Sequence, residues 1–261
     1  MIRLTQENLP KLKHESYYRN FHRTFDSYND DISRFEADEM DKFTEFFRQR
    51  HDSIEKKITW LDSGAGKGTA ILTCGEISDY LEKAIGVSMH FIKGTSRILD
   101  VDFADWYLGD INDVLEDVKD IDVISDVYGP FFYSPERMYI LRNYYEALDD
   151  GGKAFIQVGN PEANHEFVRD IVYEGKKRTL IQEYLDQYFP EIFRLTNFNF
   201  TLVMKKDKDK TFPNLEELDQ VESYYSKLSS RDSTKYHAPG DKSNPRMPVF
   251  IYQKKDEEHN I

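Results

Sequence analysis

Residues 58–69 read Ile-Thr-Trp-Leu-Asp-Ser-Gly-Ala-Gly-Lys-Gly-Thr. The first five residues are typical of a short buried strand that ends in an acid, and the three glycines that follow alternate with other residues. Glycine permits a tight turn and a close approach to a ligand, because it has no Cβ. A helix predicted from about Thr69 to Lys83 would then direct its unpaired N–H groups at whatever the loop holds. The segment is therefore typical of a loop that binds a nucleoside cofactor.

The residues of the loop itself test two ligand classes and one purely structural role. A phosphate-binding Walker A loop requires a glycine five residues before Gly66, where the chain has Leu61, and the Asp62 carboxylate would repel phosphate. A dinucleotide-binding loop requires its third glycine at position 69, which is threonine. A tight strand-to-helix turn without a ligand is the structural alternative. The rest of the chain has to decide between them.

The composition describes an acidic chain with one sizeable core. The 261 residues are 39% hydrophobic, and 35 basic against 48 acidic side chains leave a net charge of −13. This balance argues against a nucleic acid partner. The single cysteine, Cys74, excludes an intramolecular disulfide and a cysteine-rich metal site, and we predict no metal. Without a membrane-length apolar run or a signal-peptide core, the chain is expected to be soluble and cytoplasmic, with no membrane partner.

Alternating strand and helix patterns predict the fold class. Strands are predicted at residues 58–62, 84–88, 105–108, 121–126, 153–159, 193–205 and 248–254. Strands that alternate with helices imply an α/β fold, with a doubly wound, mostly parallel, seven-stranded sheet and helices on both faces.

Two additions to this sheet are predicted. Residues 1–57 carry aromatic residues at helical spacing and are expected to form an N-terminal helical cap, interrupted by a turn at residues 28–31. Residues 58–261 then form the α/β domain. Within it, the polar tract 206–246 is an insertion between the last two strands, which we expect to act as a lid or recognition arm.

The pattern Asp-x-Gly-x-Gly-x-Gly at residues 62–68 resembles motif I of the class I S-adenosylmethionine-dependent methyltransferases. The resemblance implies that the acid faces the cationic amino-acid group of S-adenosyl-L-methionine and that the glycines let its methionine part pass. The residues that the resemblance assigns to this loop are Asp62, Gly64, Ala65, Gly66 and Gly68.

Two further strand ends carry motifs of the same family, in the family's order. Residues 86–89 resemble motif II, in which Ser88, followed by Met89, takes the place of the usual ribose-binding acid. A serine makes one of the two bonds, which would lower the affinity for the cofactor by about 1–2 kcal/mol. Asp110 and Ile111 resemble motif III, which contacts adenine, although Asp110 is equally well placed to cap a helix.

Residues 122–134 resemble motif IV, which lies beside the transferred methyl group. The resemblance implies that Asp126 binds or orients the cofactor or the acceptor. It also implies that Tyr133 orients the acceptor or gates the site, unless Tyr133 only packs beneath the cap. The remaining candidates for a base are Tyr128, Glu136, His90 and His165.

The resemblance as a whole implies a methyltransferase that aligns a nucleophile with the cofactor's methyl group. Motif IV lacks an Asn-Pro-Pro-Tyr sequence, which argues against a nucleobase and for a small-molecule or protein acceptor. The alternative is a catalytically inactive binding or scaffold protein with this fold, which Ser88 and the lack of an obvious base favour. Phosphoryl transfer is a third function class, against which Leu61 and Asp62 argue.

Overall fold

The protein is described here from a computed structural model, which describes residues 1–9, 27–33, 35, 37–89, 95–134, 136–157, 171–173, 176–178, 180–196 and 201–220. The strand predicted at 248–254, the candidate bases His90 and His165, and residues 221–246 of the expected lid lie outside these residues.

Ten strands are formed by the described residues. They are β1 (Ile2–Arg3), β2 (Ile58–Ser63), β3 (Leu81–Ser88), β4 (Ala104–Leu108), β5 (Ile121–Asp126), β6 (Leu148–Gln157), β7 (Ile171–Tyr173), β8 (Lys176–Arg178), β9 (Phe193–Leu195) and β10 (Thr201–Lys205). Eight of them form one sheet in the order β1-β4-β3-β2-β5-β6-β10-β9, while β7 and β8 pair separately.

The described part of the sheet has eight strands and is mixed, with parallel pairing at its centre and antiparallel pairing at both sides. Strands β2 to β6 pair in parallel, whereas β10 runs antiparallel to both β6 and β9. The prediction also missed β1, which pairs antiparallel with β4 at the sheet edge. Two residues are too short for an alternation pattern, so β1 is defined by its pairing and not by its own sequence.

Helices cover both faces of the sheet, as a doubly wound fold requires. They are α1 (Tyr28–Ile32), α2 (Ala37–Ile54), α3 (Thr69–Leu72), α4 (Ile111–Asp117), α5 (Pro130–Tyr133), α6 (Arg137–Ala147) and α7 (Leu180–Tyr188), with 3-10 turns at Ser78–Tyr80 and Thr95–Asp100. Buried residues of α1, α2 and α3 form one hydrophobic cluster, and those of α4, α6 and α7 form the other. Among the described residues, no helix has both the length and the apolar composition to cross a membrane.

The aromatic residues before β2 seal one face of the sheet. Phe43 of α2 lies with its ring centroid 5.1 Å from that of Phe155 on β6, at an interplanar angle of 89°. Phe47 makes a similar edge-to-face contact with Trp60 of β2 at 5.9 Å. The predicted amphipathic helix is therefore present as α2, whereas the turn predicted at 28–31 is the short helix α1.

Two predicted elements have different bounds in the structure. The helix predicted to Lys83 ends at Leu72, and β3 already begins at Leu81 because that residue pairs with Ile58 of β2. Strand pairing outweighs the local helical pattern here. The strand predicted at 193–205 is two strands, β9 and β10, which pair antiparallel with each other.

The amino edge of the sheet, where the parallel strands begin, holds α2 through an ion-pair cluster. Arg50 donates from Nε to Asp122 Oδ1 at 2.8 Å and from Nη2 to Asp149 Oδ2 at 2.9 Å. Asp122 also accepts the backbone N–H of Thr59 at 2.9 Å. The start of the 206–246 tract lies at this edge as well, since Lys206 exchanges backbone hydrogen bonds with Gly151 and Gly152.

Candidate functional site

The opposite end of the sheet, which we call the carboxyl edge, contains the predicted motifs. It comprises the ends of β2, β3, β4 and β5 and the loops that follow them. The strand order reverses at β2, which has β3 on one side and β5 on the other. Ligands of open α/β sheets bind outside the carboxyl ends of the strands at such a switch point. Asp62 of β2 and Asp126 of β5 both lie there.

Asp62 is buried, and only half of its carboxylate is hydrogen-bonded. Its exposed fraction is 2%, and Oδ1 accepts one bond from Ser125 Oγ at 3.1 Å. Ser125 in turn accepts from the indole N–H of Trp60 at 2.9 Å. Oδ2 is enclosed and has no hydrogen-bond partner among the described residues. Burial raises the pKa of Asp62 to about 7, and the nearby Asp126 adds to the rise.

Asp126 differs from Asp62 because both of its oxygens are occupied. Oδ1 accepts the N–H of Gly129 at 2.8 Å, while Oδ2 accepts the N–H of Phe131 at 3.0 Å and the Tyr144 hydroxyl at 2.8 Å. Its side chain is fully buried. Burial raises the pKa of Asp126 to about 6, an effect that these three donors oppose. Asp126 thus orders the start of α5 and presents no free acceptor atom.

Two of the loop glycines are required by packing within the protein. A Cβ on Gly64, whose φ is +85°, would lie 2.5 Å from the Cα of Gly129. A Cβ on Gly68 would lie 2.8 Å from Cζ3 of Trp106. The backbone N–H groups of Gly64 and Ala65 both donate to the carbonyl of Val87. The loop therefore closes onto β3 and β5, and the four-residue α3 is much shorter than the helix predicted after it.

Gly66 and the residues predicted from motifs II and III also lie at the carboxyl edge. They differ in backbone conformation, exposure and hydrogen bonding. Gly66 has a positive φ of 56°. Ser88 is buried at the end of β3, whereas the next residue, Met89, is 57% exposed. Asp110 caps α4, because its side chain accepts the N–H of Asn112 at 2.8 Å. Ile111 is 2% exposed and packs in the core.

The remaining candidates lie after β5. Tyr133 ends α5, and its side chain is outside what the structure describes. Tyr128 is buried and has a φ of +52°, a conformation that is strained for a bulky residue. This turn brings Gly129 so close to β2 that a Cβ there would lie 2.3 Å from the carbonyl oxygen of Ser63. Glu136 is exposed.

Sequence reasoning missed the polar partners of the two acids. Ser125 bonds Asp62, and Tyr144 bonds both Asp126 and Ser63, with 2.6 Å between the Ser63 and Tyr144 hydroxyl oxygens. Successive strand residues point to opposite faces, so these contacts form two networks on opposite faces of the sheet. A signal was present for Ser125, because a serine within a strand that is predicted to be buried needs a polar partner.

Metal binding and thiol chemistry can also be checked against the described residues. The described residues include no group of three or more His, Cys, Asp or Glu side chains that could hold a metal ion. Cys74 is buried and donates to the Ile71 carbonyl, and burial raises the pKa of its thiol to about 11. Such a thiol is inert and packs as a small buried hydrophobic residue.

Comparisons with known proteins give structural similarity only. No protein-family model matches the sequence, and no curated protein sequence matches it. The chain is similar in structure to monomeric WbdD, at 12% identity and a TM-score of 0.46, over 68% of this chain and 43% of that one. The chain thus spans less than half the length of WbdD.

Two smaller methyltransferases are also similar in structure. One is 1,6-didemethyltoxoflavin-N1-methyltransferase of Burkholderia thailandensis, solved with S-adenosylhomocysteine, at 12% identity and a TM-score of 0.42 over 68% of this chain and 88% of that one. The other is a TehB-like SAM-dependent methyltransferase of Corynebacterium glutamicum, at 18% identity and a TM-score of 0.40 over 62% and 87%. Both of these neighbours are named as methyltransferases. Similarity at such scores assigns no function to this chain.

Proposed function

We propose that this protein binds S-adenosyl-L-methionine at the carboxyl edge and transfers its methyl group to a small-molecule or protein acceptor. One observation carries the proposal: Asp62 lies at the switch point of the sheet with a buried carboxylate oxygen that has no partner among the described residues. A buried acceptor without a donor destabilises the ligand-free protein, so it is a feature that a ligand would have to compensate. A cationic group is the best match, because the carboxylate has no cation beside it among the described ion pairs.

The other residues of the edge have supporting roles in this proposal. Asp62 binds the ammonium group of the cofactor, Ser88 bonds a ribose hydroxyl, and the glycine loop, including Gly66, lies along the methionine part. Asp110 and Ile111 adjoin the adenine, and Met89 is exposed enough to cover the nucleoside. Asp126 acts as a positioning residue, because its oxygens already hold the turn from β5 into α5. Tyr133 remains the candidate that orients the acceptor.

Methyl transfer from this cofactor requires few catalytic groups from the protein. The bound cofactor supplies an activated methyl group, and the protein has to align the acceptor, exclude water and, for a weakly acidic acceptor, take up a proton. The saturated hydrogen bonding of Asp126 argues against it as that base. An acceptor that is nucleophilic without deprotonation is therefore favoured.

Calorimetry with S-adenosylhomocysteine at pH 8 tests the binding step. We expect saturable binding to the wild type and a loss of about 10- to 100-fold in affinity for Asp62→Asn, because a charge-assisted hydrogen bond is removed. The exposed Asp117→Asn changes the net charge equally and should bind like the wild type. Absence of binding to the wild type at millimolar ligand would contradict the proposal, and binding of ATP with magnesium instead would favour phosphoryl transfer.

An inactive binding protein is the second candidate, because Asp126 has both carboxylate oxygens occupied and Ser88 stands where the family usually has a ribose-binding acid. Incubation with methyl-labelled S-adenosylmethionine and fractionated cell extract separates the two candidates. Label in the small-molecule or the protein fraction identifies the acceptor class, and it should fall with Asp62→Asn. Cofactor binding without any transferred label would favour the inactive protein.

A further inference from the structure

Asp62 occupies a site that cannot accommodate a carboxylate well without a ligand. Its only described bond comes from the neutral hydroxyl of Ser125, on Oδ1. Its other oxygen is enclosed without a donor, and none of the described ion pairs includes Asp62. An ionised carboxylate in such a place keeps an uncompensated charge, whereas a protonated carboxyl group does not.

Within the described part of the chain, the elements around Asp62 offer it no positive charge. On β3 its register partner is Gly86, and on β5 it is Ser125. The titratable groups whose charges couple to it are Asp126 at the end of β5, Tyr144 on α6 and Cys74 after α3. All three are neutral or negative, so each neighbouring element leaves the proton on Asp62 favoured.

We propose that Asp62 carries a proton in the ligand-free protein near neutral pH and releases it when the cationic amino-acid group of the cofactor binds. The inference rests on the proposed function and deepens it. In the complex, an ammonium N–H would take the place of the carboxyl proton as the partner of the carboxylate. The released proton passes to the solvent or the buffer, and no covalent bond of the cofactor changes.

The expected proton count follows from the burial of Asp62. Burial raises its pKa to about 7, so the ligand-free protein should be mostly protonated at pH 6 and mostly ionised at pH 8.5. Binding should therefore release close to one proton at pH 6 and nearly none at pH 8.5. Affinity for the cofactor should rise with pH across the same interval, since the proton and the ammonium group compete for one carboxylate.

Calorimetric titration with S-adenosylhomocysteine in two buffers of different ionisation enthalpy measures this count. At pH 6 the binding enthalpies observed in the two buffers should differ by nearly the difference between the buffers' ionisation enthalpies, as expected for the release of one proton. The neutral nucleoside 5′-methylthioadenosine lacks the ammonium group, so the same titration with it should show no difference between the buffers. Asp117→Asn should release the proton as the wild type does.

The outcomes of this titration separate the two proposals. Tight binding of S-adenosylhomocysteine with no proton release at pH 6 would overturn the proton linkage and leave the cofactor assignment standing. Absence of any binding would overturn both.

A second measurement needs no ligand. Free Asp has a pKa of 3.8, and the folded protein raises that of Asp62, so the folded state holds an extra proton between these two values. The free energy of unfolding should fall as the pH rises through that window and level off above it. Asp62→Asn lacks this dependence. In urea unfolding, the variant should gain stability relative to the wild type between pH 5 and pH 8, and a constant difference would overturn the proposal.

Discussion

Buried carboxylates at the two edges of the sheet differ in their hydrogen-bond and ion-pair partners. At the amino edge, Asp122 is paired with Arg50 and also accepts a backbone N–H. At the carboxyl edge, Asp62 is buried to a similar degree but has one neutral donor and an oxygen without a partner. Satisfied polar groups stabilise a fold, while an unsatisfied one is tolerated where a function needs it. The difference indicates that the first edge stabilises the fold, and it supports the proposal that the second edge binds a ligand.

The largest loss of stability is expected when the ion-pair cluster at the amino edge is broken. Arg50→Ala should lower the free energy of unfolding by about 3–5 kcal/mol, because it leaves the Asp122 carboxylate buried without its cation. Arg48→Ala, two residues earlier on α2, removes an exposed pair with Glu45 and should leave the free energy of unfolding nearly unchanged. Urea unfolding of both variants measures this contrast, and equal losses would contradict it.

The same chemical change at both edges sharpens the comparison. Asp122→Asn should cost about 2–3 kcal/mol at pH 8, because it weakens charge-assisted bonds that the fold uses. Asp62→Asn should be neutral or stabilising at that pH, because it removes a buried charge without a cation. A large loss of unfolding free energy for Asp62→Asn would show that Asp62 is a structural residue like Asp122.

Glycine packing beneath the carboxyl edge gives an intermediate effect. A Cβ on Gly86, the register partner of Asp62, would lie 2.1 Å from Cζ3 of the buried Trp106. Gly86→Ala should therefore cost about 1–3 kcal/mol through overpacking. A Cβ on Gly75 meets no atom within 4 Å, so Gly75→Ala serves as the matched control. Thermal unfolding that shifts equally in both variants would be inconsistent with this packing.

The smallest of the expected losses from a buried contact is at Tyr144. Tyr144→Phe removes one of three donors to Asp126 and the contact with Ser63, so about 1 kcal/mol of stability should be lost. Tyr139→Phe on the same helix changes a 40% exposed side chain and should be neutral. Denaturant midpoints distinguish the two variants. A neutral result for Tyr144→Phe would mean that the two amide donors alone hold Asp126.

Local patterns predicted much of this fold because its central strands are short, apolar and bounded by turn residues. The bounds of β5 agree with the prediction at 121–126, and Asp62 was assigned to the site from its glycine context alone. The partners of the acids could not be predicted in the same way. Arg50 and Asp122 are 72 residues apart, and Ser125 reaches Asp62 only through the register of β2 against β5. Such contacts depend on pairing between elements, which no local pattern contains.

The sequence could not show how the two acids of the candidate site differ in their contacts. Asp62 and Asp126 each come at the end of a predicted strand, and the sequence offered both as cofactor-binding residues. The turn at Gly129 and the position of Tyr144 give Asp126 its three donors, and these contacts support the different roles that we propose for the two acids. Helix propensity after Gly68 misled for a related reason, because pairing with β2 extends β3 back to Leu81.

The central claim is tested most directly by a crystal structure of the protein with S-adenosylhomocysteine. The account predicts the nucleoside at the carboxyl edge between β2 and β3, with the ammonium nitrogen within hydrogen-bond distance of Asp62 Oδ2. Density for the nucleoside at another place, or an ammonium group bound by other residues while Asp62 Oδ2 stays enclosed, would contradict it.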